Sequence, residues 1–173
     1  FTIAARVLEV LNKRGFEQMM AERITRPLLM RTTNFFSYTV INPAGGAQSS
    51  AYDYMNFLSM LLNGGVFNGK RILSEAAIET MSKASSTQGM IKESPSIVQG
   101  KNYAVGQWIF ATDENGKTTT VACPGLFGTW PLIDYCRKYA FLIFTPGDAS
   151  SEKKELMASF KEIIDNQIIS NCQ

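Results

Sequence analysis

Near Lys101 the hydrophobic period of this chain changes, and that change limits the fold more than any other feature. Upstream, apolar residues recur three and four positions apart, the spacing of one helix face. Over residues 2–13 the stripe is Ile3, Val7, Leu8 and Leu11, an amphipathic helix stopped at Gly15. A second short helix carries Phe16, Met19, Met20 and Ile24 on one face. It ends near Arg26, because Pro27 disfavours the helical region for the residue before it. Residues 28–41 have no clean period and read as an extended, partly buried connection. The cluster Asn42-Pro43-Ala44-Gly45-Gly46 is a turn. Ser49 or Ser50 then caps a strongly periodic helix with Tyr54, Phe57, Leu58, Leu61 and Leu62, ended by Gly64-Gly65. Asn68-Gly69 marks a tight turn. Ser74 caps a short helix whose buried side is Ile78 and Met81, and residues 84–101 read as a surface loop.

Downstream the pattern is that of strands. Residues 103–111 are rich in strand formers, 113–116 make a hairpin turn, and 117–122 return as a threonine-rich strand. Residues 129–134 and 138–145 form a second hairpin. A long amphipathic helix from Ser151 to about Ser170 closes the chain, with Leu156, Phe160, Ile163, Ile164 and Ile168 on its apolar face. Helices followed by an antiparallel meander and a packing helix define an α+β fold. Residues 1–101 form its helical part, and residues 102–173 form the strands and last helix of the same domain.

Composition removes several classes of function. At 173 residues and 45% hydrophobic, the chain is long enough for one sizeable core. Seventeen basic against fifteen acidic residues leave a net charge of +2, which is no footprint for nucleic acid. No apolar run reaches the roughly 20 residues of a membrane helix. The chain contains no histidine, so a Ser-His-Asp triad, a Cys-His pair and most zinc sites are excluded. Its three cysteines, Cys123, Cys136 and Cys172, are an odd count without C-x-x-C spacing. That argues against a metal cage and favours free thiols over a structural disulfide. No motif asks for a cofactor. The chain opens at Phe1 with neither an initiator methionine nor a signal-like segment, and is read as a fragment or processed product.

Five segments in order resemble the β-lactamase-related serine hydrolases, the family of penicillin-binding proteins and serine β-lactamases. Residues 16–28, running from Phe16 to Pro27-Leu28, are similar to its "helix then Pro-Leu-Gly-Met" passage, with Leu29 where glycine is usual. Asn42 to Leu58 resembles its Gly-Gly turn and the following helix with an Asp near the start, here Asp53. Met60-Leu61-Leu62-Asn63-Gly64-Gly65 and Asn68-Gly69-Lys70-Arg71-Ile72-Leu73-Ser74 continue it. Tyr103-Ala104-Val105-Gly106-Gln107-Trp108 is similar to its Tyr-Gly-Leu-Gly-Trp strand, and Cys123-Pro124-Gly125-Leu126-Phe127-Gly128-Thr129 to its third active-site motif.

The resemblance implies the C-terminal part of a β-lactamase/transpeptidase-like fold, and acyl transfer through a serine. In that chemistry a Ser-x-x-Lys serine is deprotonated by the lysine one helical turn away, and a Tyr-x-Asn tyrosine assists. A Lys/His-x-Gly strand closes the site, with a backbone N–H beyond its glycine in the oxyanion hole. The first two motifs precede everything that aligns here, so no catalytic residue is expected in this chain. Cys123, Gly125 and Leu126 are the substrate-binding residues implied, Leu126 through its N–H. Cys123 replaces a cation, Pro124 removes an N–H, and Gly125 is kept. A neutral residue there argues against specialised recognition of a β-lactam carboxylate and for an esterase, a peptidase of D-amino-acid bonds or a degenerate member. Cysteine's habit of burial pulls the other way, toward a small core residue. Trp108 and Trp130 lie in strands, where tryptophan is usually core, although either could line such a cleft.

Two matches to the missing motifs are local structure. Ser150-Ser151-Glu152-Lys153 and Ser151-Glu152-Lys153-Lys154 fit Ser-x-x-Lys at the start of the last helix, where serine is the preferred cap. Tyr54-Met55-Asn56 fits Tyr-x-Asn inside a helix whose apolar face includes Tyr54. The resemblance further implies a small-molecule or peptide-like substrate for the parent protein and an extracytoplasmic location. It also implies a strand edge left open to self-association, because N-terminal elements of the family pair with this meander. The competing expectation is a non-catalytic binding or interaction module built on the same fold.

Overall fold

The computed structural model describes residues 1–36, 41–125, 128–145 and 151–172. Helix α1 spans Thr2–Asn12 and α2 spans Phe16–Met20, running on into a wider π-type turn over Ala21–Thr25. The stop of α1 is Lys13, which takes the left-handed conformation at φ 52°, while Gly15 serves as the N-cap of α2. The apolar stripe of α1 does not pack. Ile3, Val7, Leu8 and Leu11 are between 49% and 82% exposed, and Ala5 is the buried residue of that helix.

Helix α3, Ala51–Leu62, is the centre of the molecule. Ser50 caps it by accepting from the Asp53 N–H, so of the two serines expected to cap it the second does so. Leu58, Met60 and Leu61 are buried against Leu28, Met30, Val121 and Ile133. Strands β1 (Val66–Phe67) and β2 (Lys70–Arg71) form a hairpin over Asn68 and Gly69, both at positive φ as a tight Asn-Gly turn requires. At Gly65 only glycine fits, since a Cβ would lie 2.2 Å from the Leu73 carbonyl oxygen. Helix α4, Glu75–Ser82, begins at Ser74, whose side chain accepts from the Ala77 N–H.

Strands β3 (Asn102–Tyr103), β4 (Trp108–Thr112), β5 (Thr118–Ala122), β6 (Thr129–Asp134) and β7 (Tyr139–Phe144) form an antiparallel sheet in sequence order. The first strand expected downstream of Lys101 is divided at Gly106, where the chain bends between β3 and β4. Alternation along β5, β6 and β7 sends neighbouring residues to opposite faces. Val121, Ile133, Ala140 and Leu142 pack toward α3, while Ala122, Trp130, Leu132, Phe141 and Ile143 form a second cluster on the other face. This is the α+β meander expected.

Helix α5 spans Ser151–Asp165, shorter than its sequence period suggests. Leu156, Phe160 and Ile163, expected on a packed face, are exposed, while Ile164 and Ile168 are half-buried. Polar contacts hold the helix instead. Lys161 and Arg137 converge on the buried Asp134 at 3.3 and 3.5 Å, and Asp165 accepts from the Tyr139 hydroxyl at 2.8 Å. Beyond the helix Cys136 and Cys172 form a disulfide, which corrects the expectation of three free thiols. An odd count forbids only the pairing of all three; it left these two, 36 residues apart in sequence, free to meet. The Cys136 carbonyl also accepts from the Asn171 N–H, so the tail is tied to the β6–β7 hairpin twice.

Candidate functional site

The expected substrate-facing residues follow β5. Within that strand Ala122 pairs with Trp108 of β4 and with Leu132 of β6. The pairing with β6 continues past the strand: the Cys123 N–H donates to the Pro131 carbonyl at 3.2 Å and the Gly125 N–H to the Thr129 carbonyl at 2.7 Å. Pro124 sits between them, at a position where no N–H is needed. Two residues after Val121, Cys123 lies on the α3 face. It lines a cavity of about 180 Å³ with Tyr54 and Phe57 of α3 and Gln107 of the β3–β4 bend.

Cys123 is a free, half-buried cysteine, and burial pushes its thiol above the usual range. Burial, helped by the proximity of Cys123, pushes Tyr54 up to about 12. A hydroxyl so weakly acidic stays protonated at neutral pH. The Asn56 amide donates to the Leu28 carbonyl at 3.0 Å, so Tyr54-Met55-Asn56 is a packing element. Tyr103 is raised for the same two reasons, burial first, and its ring meets Trp108 edge-on at 4.8 Å. Trp130 is buried on the opposite face with Ala122 and Leu132 and does not line this cavity.

Gly125 is not forced by crowding. A Cβ there would meet Thr129 at 3.4 Å and 3.5 Å, ordinary contact. Leu126 and Ser150 lie outside the described residues; Ser151 begins α5. Structure, then, brings Cys123 and Gly125 to one strand end beside Tyr54 and Tyr103. A larger concavity, about 1060 Å³, lies at the other end of the sheet around Asn115, Lys117 and Lys138, away from this motif.

Sequence reading noted Asp53 without seeing what it does. Its carboxylate is 3% exposed and accepts from the Thr32 N–H and hydroxyl, both at 2.8 Å, and from the Thr33 hydroxyl at 2.9 Å. Asp53 thereby ties residues 32–33 to the first turn of α3, where a negative charge also suits the helix dipole. Burial works against the charge, but the hydrogen bonds from Thr32 and Thr33 outweigh it, and the carboxyl titrates below its ordinary value. Leu29, which stands where glycine is usual in the resembling passage, adopts φ 56°, a left-handed conformation between the buried Leu28 and Met30.

The family model described as beta-lactamase matches residues 1–162. The chain belongs to the β-lactamase family. Solved structures agree on the fold. A β-lactamase from Mycobacterium bovis superposes with a TM-score of 0.76 at 19% identity, over 96% of this chain and 61% of that one. Simvastatin synthase from Aspergillus terreus gives 0.71 at 18%, over 95% and 52%. The octameric penicillin-binding protein homologue from Pyrococcus abyssi gives 0.66 at 16%, over 92% and 40%. The chain thus spans about half the length of the structures it resembles. Among curated proteins, no sequence matches. Among the described residues, no helix is long and apolar enough to cross a membrane.

Proposed function

We propose that this chain forms one wall of the cleft of a serine hydrolase acting on an ester, amide or β-lactam. Cys123 and Gly125 face substrate, and the Leu126 N–H serves the oxyanion hole. The observation that carries this reading is the end of β5. There a neutral half-buried thiol lines a cavity, and a glycine is kept where packing against Thr129 does not demand one. A glycine free of internal crowding leaves room for a ligand to approach the strand. With Cys123 in place of a cation, an ester or a peptide-like amide suits the wall better than a carboxylate-bearing β-lactam. Residues 1–101 and 102–173 act as two parts of one domain, and the serine nucleophile comes from sequence N-terminal to Phe1. No cofactor is required. Turnover of p-nitrophenyl acetate by the product of the longer reading frame, and none by residues 1–173, is the expected result; hydrolysis by residues 1–173 themselves would overturn it.

A second reading, a non-catalytic binding module, is favoured by the absence of a charged side chain at Cys123. Ligand binding by the longer product without any acyl-enzyme would support that reading, and a stable acyl-enzyme would end it. Either way this chain alone self-associates. β7 is an edge strand of six residues, nearly all apolar, and the apolar stripe of α1 stands exposed. A monomeric sedimentation profile across micromolar concentrations would contradict this.

A further inference from the structure

A second cavity, of about 260 Å³, shares Tyr54 and Phe57 as lining residues with the Cys123 cavity. Its walls come from six separate stretches, with the apolar side chains of Met20 and Ile24 of the α2 turn, Met30, Phe57 of α3 and Phe144 at the end of β7 among them. We propose that this cavity binds the apolar acyl group of the substrate, an aliphatic chain of about six to eight carbons or a single aromatic ring; this rests on the hydrolase reading above.

Three observations support the assignment. First, size: an engineered apolar cavity of about 150 Å³ takes a benzene ring, so 260 Å³ has room for a ring or a longer chain. Second, chemistry: most of the lining side chains are apolar, and two of its hydroxyls are already engaged. Thr33 and Ser49 share a hydrogen bond at 2.7 Å, and Thr33 also donates to Asp53, so neither calls for a polar ligand. Third, position: Thr129 lines the cavity, and its carbonyl accepts the Gly125 N–H. The cavity therefore begins one hydrogen bond from the strand end assigned to the reacting carbonyl. Tyr54 and Phe57 border both cavities, so one helix face divides the acyl chain from the thiol side.

The test uses residues 1–173 with methyl-13C methionine, titrated with methyl butanoate and methyl hexanoate. Met20 and Met30 report from the cavity wall, and buried Met60, which does not line it, serves as the internal control. Saturable shifts of the Met20 and Met30 signals are expected. Affinity should rise about fourfold per methylene, roughly fifteenfold between the two esters. Ile24→Trp, which fills the cavity, should abolish the shifts. Ala47→Phe, at an exposed lining position, should weaken them at least tenfold and spares the fold if Ile24→Trp does not fold. Absence of shifts, equal affinity for both esters, or shifts that survive the folded variants would overturn the assignment. Binding needs no nucleophile, so the two proposals fail separately. Binding here with no turnover by the longer product overturns the hydrolase reading alone, and turnover without binding overturns the cavity alone.

Discussion

Replacing Asp53 with alanine removes the charge that fastens residues 32–33 to α3. Three donors lose their acceptor: the Thr32 N–H, the Thr32 hydroxyl and the Thr33 hydroxyl. The two hydroxyls keep other partners, Ser50 at 3.0 Å and Ser49 at 2.7 Å, so the uncompensated loss centres on the Thr32 N–H. A hydrogen bond to a charged group contributes about 1.5–3 kcal/mol, and a stranded buried donor costs about 1–3 kcal/mol. Because these contributions share one carboxylate they do not add in full, and about 3–4 kcal/mol is the expected loss. For a chain of this size that lowers the melting temperature by roughly 10 °C. Thermal unfolding followed by circular dichroism at pH 7 measures it, with Asp53→Asn falling between the two. Acidification gives an independent check. Because the folded carboxyl titrates below its unfolded value of about 3.9, its stabilisation is complete above that value and is lost as pH falls through the folded one. The gap between wild type and Asp53→Ala should therefore be full above about pH 3.9 and narrow steadily as the pH falls below it. A pH 7 gap under about 1 kcal/mol, or one unchanged on acidification, would refute the reasoning.

Reducing the Cys136–Cys172 disulfide, which closes a loop of 36 residues' separation, should cost about 4 kcal/mol on the loop-entropy estimate. Thiol titration of the unreduced, denatured chain should count one thiol, and three would contradict the bond. Leu29→Gly should raise the melting temperature by roughly 2–4 °C, because a left-handed leucine costs about 1–2 kcal/mol and this one, 47% exposed, loses little packing; a lower melting temperature would contradict it. Cys123 should alkylate with iodoacetamide more slowly at pH 7 than cysteine in a short peptide, because burial raises its thiol and lowers the thiolate fraction. Mass spectrometry against time would show equal or faster labelling if that is wrong.

What the sequence made legible was whatever a short window dictates. The serine caps of α3 and α4, the Asn68-Gly69 hairpin and the face alternation of β5 to β7 are all set by neighbours a few residues apart. The packing of α5 was misjudged because a stripe at helical spacing tells that a face is apolar, not that anything covers it. The disulfide was missed because pairing over 36 residues depends on where the β6–β7 hairpin and the tail meet, which no spacing rule encodes. At the candidate site the Cys123-Pro124-Gly125 segment could be located in sequence, but its companions could not. Tyr54 and Gln107 reach Cys123 from α3 and from the β3–β4 bend, through contacts set by tertiary packing. Leu29 is an instructive middle case: the departure from glycine was visible in sequence, and the backbone explains why glycine is usual there.

The most direct test of a hydrolase wall without its nucleophile is fluorophosphonate labelling of the longer reading-frame product, followed by peptide mapping. A single adduct on a serine N-terminal to Phe1, abolished by a competing ester, is the expected outcome. An adduct on a serine within residues 1–173, such as Ser150 or Ser151, would contradict it, and so would the absence of any adduct.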